Sequence, residues 1–108
     1  MNSHDYVYFS NLSETITDIP ADSIVSKTIL SNDKVKIVLF GFETGQELSE
    51  HTASMPAILH ILSGKANLTL GEDSFGTETG AWVYMPPNLP HSIQAKEPVM
   101  MLLTLLKS

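Results

Sequence analysis

The sequence predicts a single small all-β domain, and three observations predict it. Short runs rich in Val, Ile, Leu, Phe and Tyr recur from Ser23 onward, separated by turn residues about every eight to twelve positions. No stretch carries a sustained 3.6-residue apolar repeat; Leu12, Ile16 and Ile19 are spaced for one or two helical turns at most. The chain has 108 residues, the length of one common domain, and such a chain buries roughly two-thirds of its unfolded surface without needing covalent staples.

In chain order, residues 1–20 are expected to form an N-terminal arm and residues 21–108 a single barrel domain. Ser23 to Leu30 reads as a strand, Ser31-Asn32-Asp33 as a turn, and Lys34 to Phe42 as the next strand. In that second run Val35, Ile37 and Leu39 share one face while Val38, Phe40 and Phe42 share the other. Both faces are therefore expected to be covered. Gly45 closes the run. Ala57 to Leu62 and Ala66 to Leu70 flank Ser63-Gly64-Lys65, which reads as a hairpin turn. Gly71-Glu72-Asp73 turns the chain again, Thr79-Gly80 marks a corner, and Ala81 to Met85 is the next strand. Pro86, Pro87 and Pro90 have no N–H to donate, so they interrupt the ladder before a strand beginning near His91. Pro98 then leads into a final apolar strand, Val99 to Leu106.

Composition excludes several functions. There is no cysteine, which removes disulfides, thiolate metal sites and thiol nucleophiles and fits a reducing cytosol. Six lysines, no arginine and twelve acidic residues give a formal charge of −6. Without a basic patch or guanidinium forks, neither nucleic acid nor an anionic membrane surface is an expected partner. No apolar run approaches the roughly 18 to 20 residues of a membrane helix, and Met1 to Ser10 lacks the basic start and apolar run of a secretory signal. A cytoplasmic location is expected.

The chemistry is concentrated in two blocks. The first runs through Gly45, His51-Thr52-Ala53, Ala57 and Gly64; the second through Gly80, Pro86-Pro87-Asn88 and His91. Glycine supplies backbone angles that a Cβ resists, and Asn88 is the next best residue for a left-handed corner. The spacing of these residues resembles the two motifs of the cupin superfamily. That resemblance implies a double-stranded β-helix or small jelly-roll barrel with His51, Ala53, Ala57 and His91 around a common pocket. Metal-binding cupins place histidines and a carboxylate at those four positions. Here Ala53 and Ala57 offer methyl groups, which hold no lone pair, so only His51 and His91 remain as candidate metal ligands. The chain also resembles a group of small single-domain cupins with His-Thr-Ala in the first block.

His51 and His91 are read as polar groups that orient a ligand, as ligands of a weakly held divalent metal ion, or as structural residues. Strand alternation puts His60 with Ile58 and Leu62, away from Ala57 and the pocket. His4 reads as inert, Glu47 as solvated and Glu50 as pointing away. Met55, Met85, Met100 and Met101 read as core filler, and Trp82 and Tyr84 as wall residues. The first functional expectation is a small-molecule-binding module with two histidines in an apolar cavity. The alternative is a metal-dependent enzyme of the oxygenase or isomerase kinds the resemblance implies, and a third reading has one histidine as general acid or base. A homodimer is also expected, because Val99 to Leu106 and Ile37 to Phe42 carry more apolar surface than one small barrel needs to bury.

Overall fold

A computed structural model of the chain describes residues 5–108, so the reading of His4 lies outside the described residues. The strands are β1 (Ile24–Ser31), β2 (Val35–Phe42), β3 (Glu47–His51), β4 (Ala57–Ser63), β5 (Ala66–Leu70), β6 (Asp73–Thr77), β7 (Trp82–Met85), β8 (His91–Ala95) and β9 (Val99–Leu106). They form two antiparallel sheets, β1-β2-β9-β4-β7 and β3-β8-β5-β6. This is the all-β jelly-roll of the cupin type. No helix among the described residues is long and apolar enough to cross a membrane.

Period-two alternation explains where the core sits. In β4, Ala57, Leu59 and Ile61 are buried and alternate with half-buried Ile58, His60 and Leu62. Ala66 and Leu68 of β5, Ile93 and Ala95 of β8, and Val99 and Met101 of β9 join them in one cluster with Phe42 and Met85. Fully burying a side chain of the Leu, Ile, Phe or Met type contributes roughly 1.5 to 3 kcal/mol, so the space between the sheets dominates stability.

The second face of β2 is covered as its two-sided pattern predicts. Leu39 is fully buried although it pairs with Lys27 and Leu102 on the side away from the cluster. The segment before β1 accounts for part of that cover. Ile19 packs where Gly41 leaves room, and a Cβ there would come 2.8 Å from its Cδ1. Upstream, the predicted helical turns are a single 3-10 turn, Leu12–Thr15, capped by the Asn11 side chain accepting from the Ser13 N–H.

Two sequence expectations need correction. Ser63-Gly64-Lys65 is not a hairpin turn, because β4 pairs with β7 and β9 while β5 pairs with β6 and β8. The turn carries the chain from one sheet to the other. Gly64, at φ +92°, is required there, since an added Cβ would fall on the carbonyl oxygen of Pro98. The polar runs Glu47–His51 and Asp73–Thr77, not expected as strands, are the two edges of the second sheet.

Candidate functional site

His51 and His91 are cross-strand partners in β3 and β8, and a backbone irregularity makes them so. Leu48 pairs with Ile93 and His51 with His91, so three steps along β3 match two along β8. In a regular strand, residues three apart face opposite sides. The β-bulge between Leu48 and His51 absorbs the extra residue and turns the imidazole to the inner face that Ile93 occupies. The resemblance implies two histidines around a common pocket, and the structure sets their rings side by side at the end of one sheet. Their centroids lie 4.2 Å apart with the planes tilted by 57°.

Each ring is held by the same local device. The Nδ1 of His51 lies 2.8 Å from the Ser49 carbonyl oxygen, and the Nδ1 of His91 lies 2.9 Å from that of Leu89. A carbonyl oxygen only accepts, so Nδ1–H is the donor in both. In the neutral imidazole Nε2 then keeps its lone pair. The result is two adjacent nitrogen acceptors with fixed tautomers, one on an exposed residue, His51, and one on a half-buried residue, His91.

The loop leading to His91 is tied to the loop following His51. Asn88 adopts φ +66°, the left-handed position its side chain suits, and its N–H donates to the Ala53 carbonyl at 2.7 Å. The Gly71 N–H donates to Pro90 at the same distance. Ala53 thus contributes through its backbone, while Ala57 is buried in β4 between Met85 and Leu105. Among the described residues no three His, Cys, Asp or Glu side chains are grouped to hold an ion. His60 lies on the outer face between Trp82 and Leu102, away from the pair. Glu47, paired with Gln94, is exposed, as is Glu50.

An apolar cavity of about 430 Å³ opens where the edge strands β6 and β7 leave a seam between the sheets, with Leu59, Leu68, Leu70, Phe75, Ala81 and Val83 in its walls. Neither His51 and His91 nor Ala53 and Ala57 line it. The single pocket expected around those four residues is therefore two neighbouring features, which meet at Leu70. That residue lines the cavity and is paired with His91. One wall of the cavity depends on Phe75, whose edge strand Asp73–Thr77 is too polar to show a strand's apolar alternation in the sequence. The alternating Ala66, Leu68 and Leu70 are its legible part.

Two sheets in this order, with glycine and proline corners and paired histidines at one end, define a cupin-type barrel. The cupin domain family model matches residues 38–105, and the chain belongs to the cupin family. The chain is similar to the conserved protein SPY1581 of unknown function from Streptococcus pyogenes, at 28% identity and a TM-score of 0.84 over 99% of this chain and 93% of that one. A cupin superfamily protein from Desulfitobacterium hafniense is 25% identical, with a TM-score of 0.84 over 90% of this chain and 88% of that one. A cupin 2 conserved barrel domain protein from Leptotrichia buccalis is 28% identical, with a TM-score of 0.82 over 90% of this chain and 47% of that one. No curated protein matches the chain.

Proposed function

We propose that this cupin binds a small amphipathic molecule, its apolar part in the cavity between β6 and β7 and its polar head at Nε2 of His51 and His91. The observation that carries the reading is that both Nδ1 atoms are committed to backbone carbonyls. That leaves two adjacent acceptors beside an apolar chamber, the combination of few polar groups and much apolar wall that suits small-molecule sites. Two acceptors select a head group that donates, such as a hydroxyl or an ammonium. The pairing of Leu70 with His91 makes the two features neighbours.

The same tautomers favour a second reading, in which the pair holds a divalent ion. Histidine ligands are commonly oriented by a carbonyl on the other ring nitrogen, and Nε2 of His51 and His91 is free in that sense. With two protein nitrogens and methyl groups at Ala53 and Ala57, the donor set fits a labile ion whose shell water or ligand completes. It does not fit a closed four-ligand site. Such an ion would act as a Lewis acid toward a bound oxygen.

Nuclear magnetic resonance titration with 1-hexanol tests the first reading. The expected result is concerted shifts of the Leu68 and Leu70 methyls and of both Nε2 resonances. Shifts confined to the methyls, or none up to millimolar alcohol, would remove it. Zinc added alone tests the second, which fails if neither Nε2 responds.

A further inference from the structure

We propose that the apolar cavity takes an organic cation, its alkyl part inside and its charged end at the rim formed by Phe75, Glu78 and Trp82. Occupation of the cavity rests on the ligand reading above; the charge requirement goes beyond it. Among the described residues, Glu78 is the one charged residue that lines the cavity. It lies at the end away from the histidines. Leu70, the neighbour of His91, pairs with Asp73 at the start of β6, whereas Glu78 follows Thr77 at its end. Five steps of extended chain span roughly 16 Å, so the cavity has two separate polar ends.

The rim is aromatic on both sides of that carboxylate. Phe75 pairs with buried Leu68 and so belongs to the inner face of β6, yet it stays 48% exposed because β6 is an edge strand. Trp82 begins β7, the edge of the other sheet, and is 60% exposed. Both residues line the cavity. The face of an aromatic ring attracts a cation through its quadrupole, and a carboxylate beside two such rings suits an alkylammonium, whose charge is surrounded by apolar groups.

The turn that carries Glu78 is fixed in advance. The Ala81 N–H donates to the Glu78 carbonyl at 3.0 Å, with Gly80 at φ +98°. The Gly80 N–H donates to the Ile61 carbonyl and the Ile61 N–H to the Ala81 carbonyl, both at 2.9 Å. The rim's backbone is thus tied to β4, which lowers the ordering cost of binding. Lys65 shares a shallow neighbouring recess with Glu78 and Glu97, where two carboxylates outnumber one ammonium. Twelve acidic residues against six lysines give the whole molecule a field that draws cations and repels anions.

The test titrates the full chain with hexyltrimethylammonium, followed by nuclear magnetic resonance. This cation has no N–H, so unlike 1-hexanol it cannot donate to the histidine acceptors. It is expected to bind about fivefold more tightly than 1-hexanol, with nuclear Overhauser contacts from its N-methyl protons to the Phe75 and Trp82 rings. About 500 mM salt should remove most of that preference. Glu78→Gln and Trp82→Leu should each lower the ratio of cation to alcohol affinity about twofold or more, with an unchanged circular dichroism spectrum. Equal affinities, a ratio unmoved by Glu78→Gln, or N-methyl contacts at Leu70 and His91 instead would each overturn the proposal. 1-Hexanol bound at the histidines with no preference for the cation would sink the charge requirement and leave the ligand reading standing. The cation held at Glu78 and Trp82 with no response of either Nε2 to 1-hexanol would do the reverse.

Discussion

His51 and His91 are paired directly across β3 and β8, and each gives its Nδ1 proton to the carbonyl two residues before it, Ser49 and Leu89. The repetition fixes both rings in one tautomer. Nitrogen-15 spectra of the neutral imidazoles are therefore expected to show protonated Nδ1 and unprotonated Nε2 for both residues. The opposite tautomer in either ring would undo the two-acceptor description on which ligand and metal binding both depend.

Removing either imidazole should affect binding more than folding. His51 is exposed, so His51→Ala should change stability by no more than about 0.5 kcal/mol. His91→Ala gives up a half-buried hydrogen bond of roughly 0.5 to 1.5 kcal/mol. Zinc titration followed by calorimetry should lose its heat in both variants and keep it in His60→Ala, whose ring is on the outer face. Retained zinc binding in His51→Ala and His91→Ala would place the ion elsewhere.

Gly64 and Gly45 offer a comparison of backbone strain with steric clash. Both have positive φ, +92° and +82°, yet a Cβ at Gly45 meets nothing within 4 Å while one at Gly64 meets the Pro98 backbone. Gly45→Ala is expected to cost about 1 to 2 kcal/mol, the left-handed penalty alone. Gly64→Ala should cost more than about 3 kcal/mol, because Pro98 belongs to the main chain and cannot swing aside. Equal unfolding midpoints in denaturant would contradict this assignment.

Leu70 should couple the cavity to the histidines. Leu70→Ala is expected to destabilise the half-buried site by about 1 to 3 kcal/mol and to weaken 1-hexanol binding threefold or more, about the loss of one to two methylene contacts. It should also shift the His91 Nε2 resonance while leaving that of His60 in place. An unaffected His91 would separate the cavity from the imidazole pair.

The strands that build the core were legible because their apolar residues alternate or run continuously, as in Ala66-Asn67-Leu68-Thr69-Leu70 and Val99 to Leu106. β3 and β6 were not. Glu47-Leu48-Ser49-Glu50-His51 and Asp73-Ser74-Phe75-Gly76-Thr77 are edge strands, whose polar and charged residues erase the alternation that reveals a buried strand. The importance of His51 and His91 could be read from their place among glycines and prolines. Their adjacency could not, because it depends on the bulge after Leu48, and one extra residue in a strand leaves no mark in composition. The turn at Gly64 was recognised, but a turn between two sheets and a turn between two paired strands use the same residues.

The position of β9 bears on when the barrel can form. It lies in the middle of its sheet, bonded on one side to β2 and on the other to β4, so β1-β2 and β4-β7 have no direct ladder between them. In a chain synthesised only as far as Glu97 every strand of the second sheet is present, but the first sheet is two separate pairs, β1-β2 and β4-β7, with no strand to unite them. Pairing of such distant segments is slow, and the unfinished state is prone to wrong association. The eight residues Val99–Leu106 therefore act as a closing stitch, and the ribosome must release them before the molecule can become one body.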